Sequence, residues 1–246
     1  MREGVELAYV DAGVGVPPLV FIHGGLSSHR AFDPQIDHFS RTHRVLAPDL
    51  RGHGHSGIPD RPYSIESFAD DVAAVCLDAG VASAIVVGHS LGGLVALDLA
   101  LRHEALVRGV MLVESPVASP PDHAATSAAL LSALRGDGYS TFVVEWAHRM
   151  VLRSAPHAEG VSREMQATPQ HVAVSLVEHM LAYDSAPAVA SCRVPVMVVG
   201  GAVDASILRA LRPVAVRPAV GASHYGHLDE PEALNALIEE MLASVS

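Results

Sequence analysis

The stretch SAIVVGHSLGGLVALDLALR, residues Ser83 to Arg102, decides the fold. Its first part, Ser83–Gly88, is a short unbroken apolar run of the kind found in strands buried on both faces. Its second part, Leu91–Arg102, reads as a helix and follows without a gap. The junction, Gly88-His89-Ser90-Leu91-Gly92, has the form G-x-S-x-G. A strand that becomes a helix within so tight a turn needs small residues two positions before and two after the serine, and both are glycine. The turn lifts the Ser90 hydroxyl off the sheet edge. It faces the helix N-terminus, where free amides and the helix dipole favour negative charge.

The same rhythm extends outward. Pro18–Ile22, Arg44–Pro48 and Arg108–Val113 are further strand-like runs. Ser64–Ala79 is a helical segment with Ile65, Phe68, Val72 and Val75 on one face and Ser64 or Ser67 at its cap. Strand and helix in alternation imply a parallel α/β sheet with right-handed crossovers. From Pro116 to Ser191 no convincing strand occurs. Three helices are expected there, Asp122–Leu134, Tyr139–Val151 and Pro169–Tyr183, separated by a loop rich in Ser, Ala, Pro and Gly. Strands return at Pro195–Val199 and Val214–Val220, with a short helix near Ser206–Leu211 between them and a closing helix over Glu232–Ala243. We therefore expect a sheet core over residues 1–115 and 192–246, interrupted by a helical cap over 116–191.

Composition narrows the chemistry. The 246 residues carry 16 basic and 27 acidic side chains, and every basic one is arginine. Without lysine there is no Schiff base, no Lys-containing phosphate loop and no Ser-x-x-Lys nucleophile. The formal charge of −11 argues against nucleic acid as a partner. No basic block suggests an anionic membrane. Cys76 and Cys192 stand alone, with no CxxC, and read as buried thiols of a reducing compartment. There is no apolar leader behind Met1 and no run long enough to cross a bilayer, so a soluble, cytoplasmic protein is expected. No HExxH and no Cys/His cluster appears, so neither a metal nor a cofactor is expected.

A serine hydroxyl needs a base within reach and a group that orients the base. The loop Gly221–His227 follows the last strand and offers His224 and His227. His224 is the better placed, because His227 opens the approach to the closing helix. For the acid, Asp204 follows the strand Pro195–Val199 through Gly200 and Gly201. Glu114, at the end of the Gly109–Val113 run, is the alternative. An oxyanion needs two amide donors: Leu91, directly after the serine, and Gly25 in the His23-Gly24-Gly25-Leu26 loop. His23 reads as a brace of that loop. In the cap, Phe142, Trp146 and Met150 are candidates for the pocket wall.

Taken together, HGG at His23–Gly25, DLRGHGHS at Asp49–Ser56, GHSLGG at Gly88–Gly93, GAVD at Gly201–Asp204 and GASHYGHLDEPE at Gly221–Glu232 resemble the α/β-hydrolase superfamily over nearly the whole chain. The order Ser90, Asp204, His224 is the family's nucleophile–acid–histidine order. The resemblance implies a mostly parallel sheet flanked by helices, with the cap inserted between the sixth and seventh family strands. It also makes Asp49–Ser56 a structural turn. Ser90 separates the chain from the related dehalogenases and epoxide hydrolases, which carry aspartate there. Some relatives, zearalenone-lactone hydrolases among them, use a glutamate at the place of Glu114.

The expected activity is hydrolysis of a carboxylic ester or lactone of a small, mainly apolar molecule through an acyl-serine. The same residues would also suit a C–C bond hydrolase, a proton-transfer lyase or synthase, or a non-catalytic ligand receptor. Sequence says nothing of the oligomeric state.

Overall fold

The apolar runs are continuous because the strands they form are covered on both sides. In β2 (Leu19–Ile22), Val20 and Ile22 enter one core cluster and Leu19 and Phe21 the other. In β4 (Ala84–His89), Ala84 and Val86 face the first cluster, Ile85 and Val87 the second. β5 (Val107–Val113) divides likewise, Val110 and Leu112 against Met111. Side chains of successive strand residues point to opposite faces, so a strand with two dry faces has no polar position to spare.

The computed structural model describes residues 4–117, 123–152, 155–201, 209 and 215–245. Among these, seven strands form one sheet in the order β1-β3-β2-β4-β5-β6-β7. β1 (Tyr9–Ala12) runs antiparallel to β3 (Val45–Pro48). The remaining pairings, on to β6 (Val196–Val199) and β7 (Ala215–Arg217), are parallel. The chain passes from β2 to β3 on one side and then to β4 on the other. The strand order therefore reverses between β2 and β4, and the loops leaving their carboxyl ends diverge to open a crevice.

One face of the sheet carries α2 (Ile65–Asp78) and α3 (Leu91–Arg102). Ser64 caps α2 in a reciprocal box with Ser67, as the sequence suggests. The opposite face is covered by α1 (Asp33–Phe39), through Ile36 and Phe39, and by the closing helix Pro231–Ser244.

Between β5 and β6 the described residues form five helices: α4 (His123–Arg135), α5 (Tyr139–Met150), α6 (Ala158–Ala167), α7 (Gln170–Ala182) and α8 (Ala186–Ser191). Three match expectation; α6 occupies what the composition suggested was loop, and α8 follows the last expected helix without having been anticipated. In chain order, Gly226–Asp229 is α9 and the closing helix is α10. The short helix expected near Ser206–Leu211 lies, apart from residue 209, outside the described residues. Both cysteines are buried and free, and no helix of the described residues is long and apolar enough to cross a membrane.

Candidate active site

Ser90 sits between β4 and α3 at φ 53°, ψ −118°, a backbone conformation that non-glycine residues rarely adopt. Such a strained position persists only where its surroundings impose it. Here they do. The Ser90 amide donates to the Val113 carbonyl at 2.8 Å. A Cβ on Gly88 would lie 2.2 Å from the Gly92 carbonyl oxygen, and one on Gly92 would lie 2.1 Å from that of Ile22. Nothing larger than glycine fits on either side of the turn.

Across the crevice, the loop after β2 approaches the serine. A Cβ on Gly24 would come within 3.3 Å of Ser90 Cβ, and one on Gly25 within 3.9 Å of Leu91 Cδ2. The two amides expected to face an oxyanion thus lie on neighbouring segments. The Leu176 side chain of α7 reaches 3.2 Å from the same Gly25 position and roofs it. From α6, Glu164 accepts hydrogen bonds from Ser28 at 2.8 Å and Ser27 at 3.2 Å in the next part of that loop.

Two buried imidazoles fix the loop from below. His23 Nε2 accepts from the Leu50 amide at 3.0 Å, and His53 Nε2 accepts from the Leu26 amide at 3.1 Å. Their Nδ1–H groups donate to the carbonyls of Gly24 (2.7 Å) and Arg51 (2.9 Å). Both rings must be neutral to accept at Nε2. Burial lowers the pKa of His23, and burial together with neighbouring His23 pushes His53 down to about 3. His23 is therefore the brace that its position implies. His53, which sequence reasoning did not single out, is its counterpart. Below them Arg51 and Asp71, both buried, form a paired salt bridge at 2.5 and 2.6 Å.

The His224 backbone is tied to Met150 and to His89, the residue before Ser90. Its amide donates to the Met150 carbonyl at 3.0 Å, and its carbonyl accepts from His89 Nε2 at 2.9 Å. The rings of His89 and His224 are 4.7 Å apart. His89 links the Ser90 turn to the His224 loop, a role that its place before Ser90 could have signalled. His224 Nδ1 lies 3.9 Å from Glu114 Oε2. Glu114 itself has φ 49° at the end of β5. Asp204 lies outside the described residues. His227, the other histidine of the loop, is buried against Phe32 and His89, and burial pushes its pKa down to about 3.

Phe142, Trp146 and Met150 are half-buried on α5, and Met150 touches the His224 backbone. None of the three lines the cavity of about 650 Å³ that opens nearby. Its wall is built from Ser27, Ser28, His55, His157, Glu164 and Leu228, among others.

The AB hydrolase superfamily protein YisY of Bacillus subtilis is 38% identical over 104 residues, which is 42% of this chain and 38% of that protein. The match thus spans about two fifths of YisY. The putative carbamate hydrolase RutD of Azorhizobium caulinodans is 27% identical over 227 residues, 82% of this chain and 78% of that protein. Est816, solved as an N-acyl homoserine lactone degrading enzyme, superposes with a TM-score of 0.77 at 27% identity over 98% of each chain. The family profile of the alpha/beta hydrolase fold matches residues 17–149, more than half of the sequence. The chain belongs to the α/β-hydrolase fold family.

Proposed function

We propose that this protein is a serine hydrolase that cleaves a carboxylic ester or lactone of a small, mainly apolar substrate. Ser90 Oγ attacks the carbonyl carbon while His224 takes its proton. The amides of Gly25 and Leu91 receive the oxyanion. His224 then protonates the leaving alkoxide and activates the water that hydrolyses the acyl-serine. A missing oxyanion donor costs about 2.7–4 kcal/mol in such sites, so the fixed loop after β2 matters as much as the side chains.

The observation that carries this reading is the strained Ser90 turn, with Gly25 and Leu91 beside it and the His224 backbone tied to its neighbour His89. For the orienting carboxylate, Glu114, 3.9 Å from His224, is the candidate among the described residues; Asp204, the other candidate, lies outside them. Residues 116–191 act as a cap over the core of 1–115 and 192–246. Leu176 above Gly25 favours an apolar acyl or alcohol part. The lactone-degrading activity named for Est816 and the carbamate hydrolase named for RutD involve attack at an acyl carbon of this kind.

The test is a panel of short p-nitrophenyl esters and lactones, read beside intact-mass detection of an organophosphate adduct. Turnover and one adduct on Ser90, both lost in Ser90→Ala, are expected. Absence of turnover and adduct in the unaltered protein would overturn the reading in favour of a lyase or a ligand receptor.

A further inference from the structure

Beside the crevice, the fold gathers a set of side chains that no spacing in the sequence announces. Asp49 directly follows β3, His29 begins the short turn His29–Phe32 after β2, and His55 lies six residues beyond Asp49. Among the described residues, one donor atom from each of these three lies within 4.8 Å of the other two. We propose that His29, Asp49 and His55 form a binding site for a first-row divalent transition-metal ion of the zinc type, open to the cavity beside it.

The carboxylate is prepared as a ligand. Asp49 is buried, and its Oδ1 and Oδ2 accept from the backbone amides of His29 (2.8 Å) and His55 (2.9 Å). An ionised carboxylate has about four acceptor directions. The two amides occupy one on each oxygen; the second on Oδ1 is taken by a hydrogen bond with His29 Nδ1, which a bound ion would replace. Oδ1 lies 2.8 Å from His29 Nδ1, and Oδ2 lies 3.5 Å from His55 Nδ1. Two donors bound to one tetrahedral zinc at ~2.1 Å stand roughly 3.4 Å apart. The His55 separation matches that value; the His29 contact is a direct hydrogen bond, shorter by roughly 0.6 Å, and the His29 ring shifts by that much to admit an ion. The backbone amides serve as the outer hydrogen bonds that fix a ligating carboxylate. A Cβ on Gly54 would fall 2.3 Å from Asp49 Oδ2, so the 54 backbone closes directly over the carboxylate.

The third ligand is free to complete the set. The His55 side chain is 72% exposed, against 1% for that of Asp49, and can swing to close the remaining gap to His29. Two imidazoles and one carboxylate suit zinc, nickel or copper better than calcium or magnesium, which take oxygen donors. His55 lines the 650 Å³ cavity with Ser28 and Arg30. The fourth position therefore faces solvent and takes water. A bound ion would clamp the loop after β2 to the loop after β3 without joining the reaction at Ser90.

The experiment is calorimetric titration of untagged, chelator-treated protein with zinc chloride, paired with the visible spectrum of the cobalt-loaded form. One zinc per chain is expected, with a cobalt band in the visible. Both should weaken by roughly 10–100-fold or vanish in His55→Ala, an exposed position whose loss spares the core. His38→Ala, on the surface near Glu239, should leave them unchanged. Absence of zinc binding, or equal binding by the unaltered protein and His55→Ala, would overturn the proposal. Equal weakening in both variants would show diffuse surface binding and overturn it as well.

Discussion

The two halves of the sheet's carboxyl edge are held in different ways. On the side of β2 and β3, two imidazoles and a buried carboxylate each bond the backbone of a neighbouring loop, and a buried ion pair lies beneath them. On the side of β5 and β7, the hydrogen bonds that hold His224 among the described residues are those of its amide and carbonyl. Its ring faces Glu114 at 3.9 Å, beyond hydrogen-bond reach. The difference matches the demands of the proposed chemistry. Oxyanion donors act by standing still where charge develops. A base must move a proton, and its contacts commonly tighten only when substrate is bound. The largest test of this contrast lies on the adjustable side. Glu114→Gln is expected to lower kcat by roughly 10⁴-fold, about 5.5 kcal/mol, with the fold unchanged. Asp204→Asn should cost far less. Steady-state kinetics of both variants decide the matter, and the reverse ranking would give the carboxylate role to Asp204.

On the rigid side the large effect is on stability instead. Asp71→Ala leaves Arg51 buried without its carboxylate and should cost about 3–5 kcal/mol. The paired replacement Arg51→Met with Asp71→Leu should recover most of that loss, because two apolar groups of similar size need no desolvation. Urea denaturation of the three proteins checks both statements. A double variant no better than Asp71→Ala would mean that the pair serves the turn by more than filling its space.

How far all this was legible in the sequence depends on distance along the chain. Strands β2 to β6 and helices α2 and α3 declare themselves as unbroken or 3.6-periodic runs, because burial on two faces or on one stripe leaves that mark. β1 is a half-buried edge strand of four residues, and no apolar run announces it. α6 holds Gly160 and buries few large side chains, chiefly Val161 and Met165, and α8 carries Pro187 in its first turn. A short helix with few large apolar residues reads as loop. The site divides in the same way. Ser90, Gly25, Leu91 and His224 are marked by position at strand ends. The partners that hold them come from other strands' loops. His53 on Leu26, His89 on His224 and Asp49 between two histidines leave no spacing to find.

A middle-sized effect tests the latch formed by His53 on the Leu26 amide. His53→Ala removes the acceptor of the Leu26 amide, which is buried in a residue at φ 58°. An unsatisfied buried donor costs about 1–3 kcal/mol. Leu26 follows Gly25 directly, so kcat should fall together with stability while KM changes little. Were kcat to stay at the unaltered value in a variant destabilised as expected, the latch would be structural only and the oxyanion loop would be held by Glu164 and α6.

The smallest effect per step comes from the buried histidines of the base side. Burial, with His224 adding to it, depresses His227 to about 3, and burial with neighbouring imidazoles depresses His89 well below its ordinary value. In the unfolded chain both titrate near 6.5. Between pH 6.5 and about 3, unfolded His227 is protonated while the folded one stays neutral. The unfolded state then binds more protons, and stability falls as the pH falls. Each such group contributes up to about 1.4 kcal/mol per pH unit in that window. From pH 6.5 to 5 most carboxylates are still ionised in both states, so the slope there belongs to histidine. Denaturation curves at pH 7, 6 and 5 should show this loss, and His227→Gln should flatten it by about one group's share. An unchanged slope in that variant would mean that folded His227 accepts a proton despite its burial. The tight packing of imidazoles beside His224 would then be a store of charge, not a dry wall behind the base.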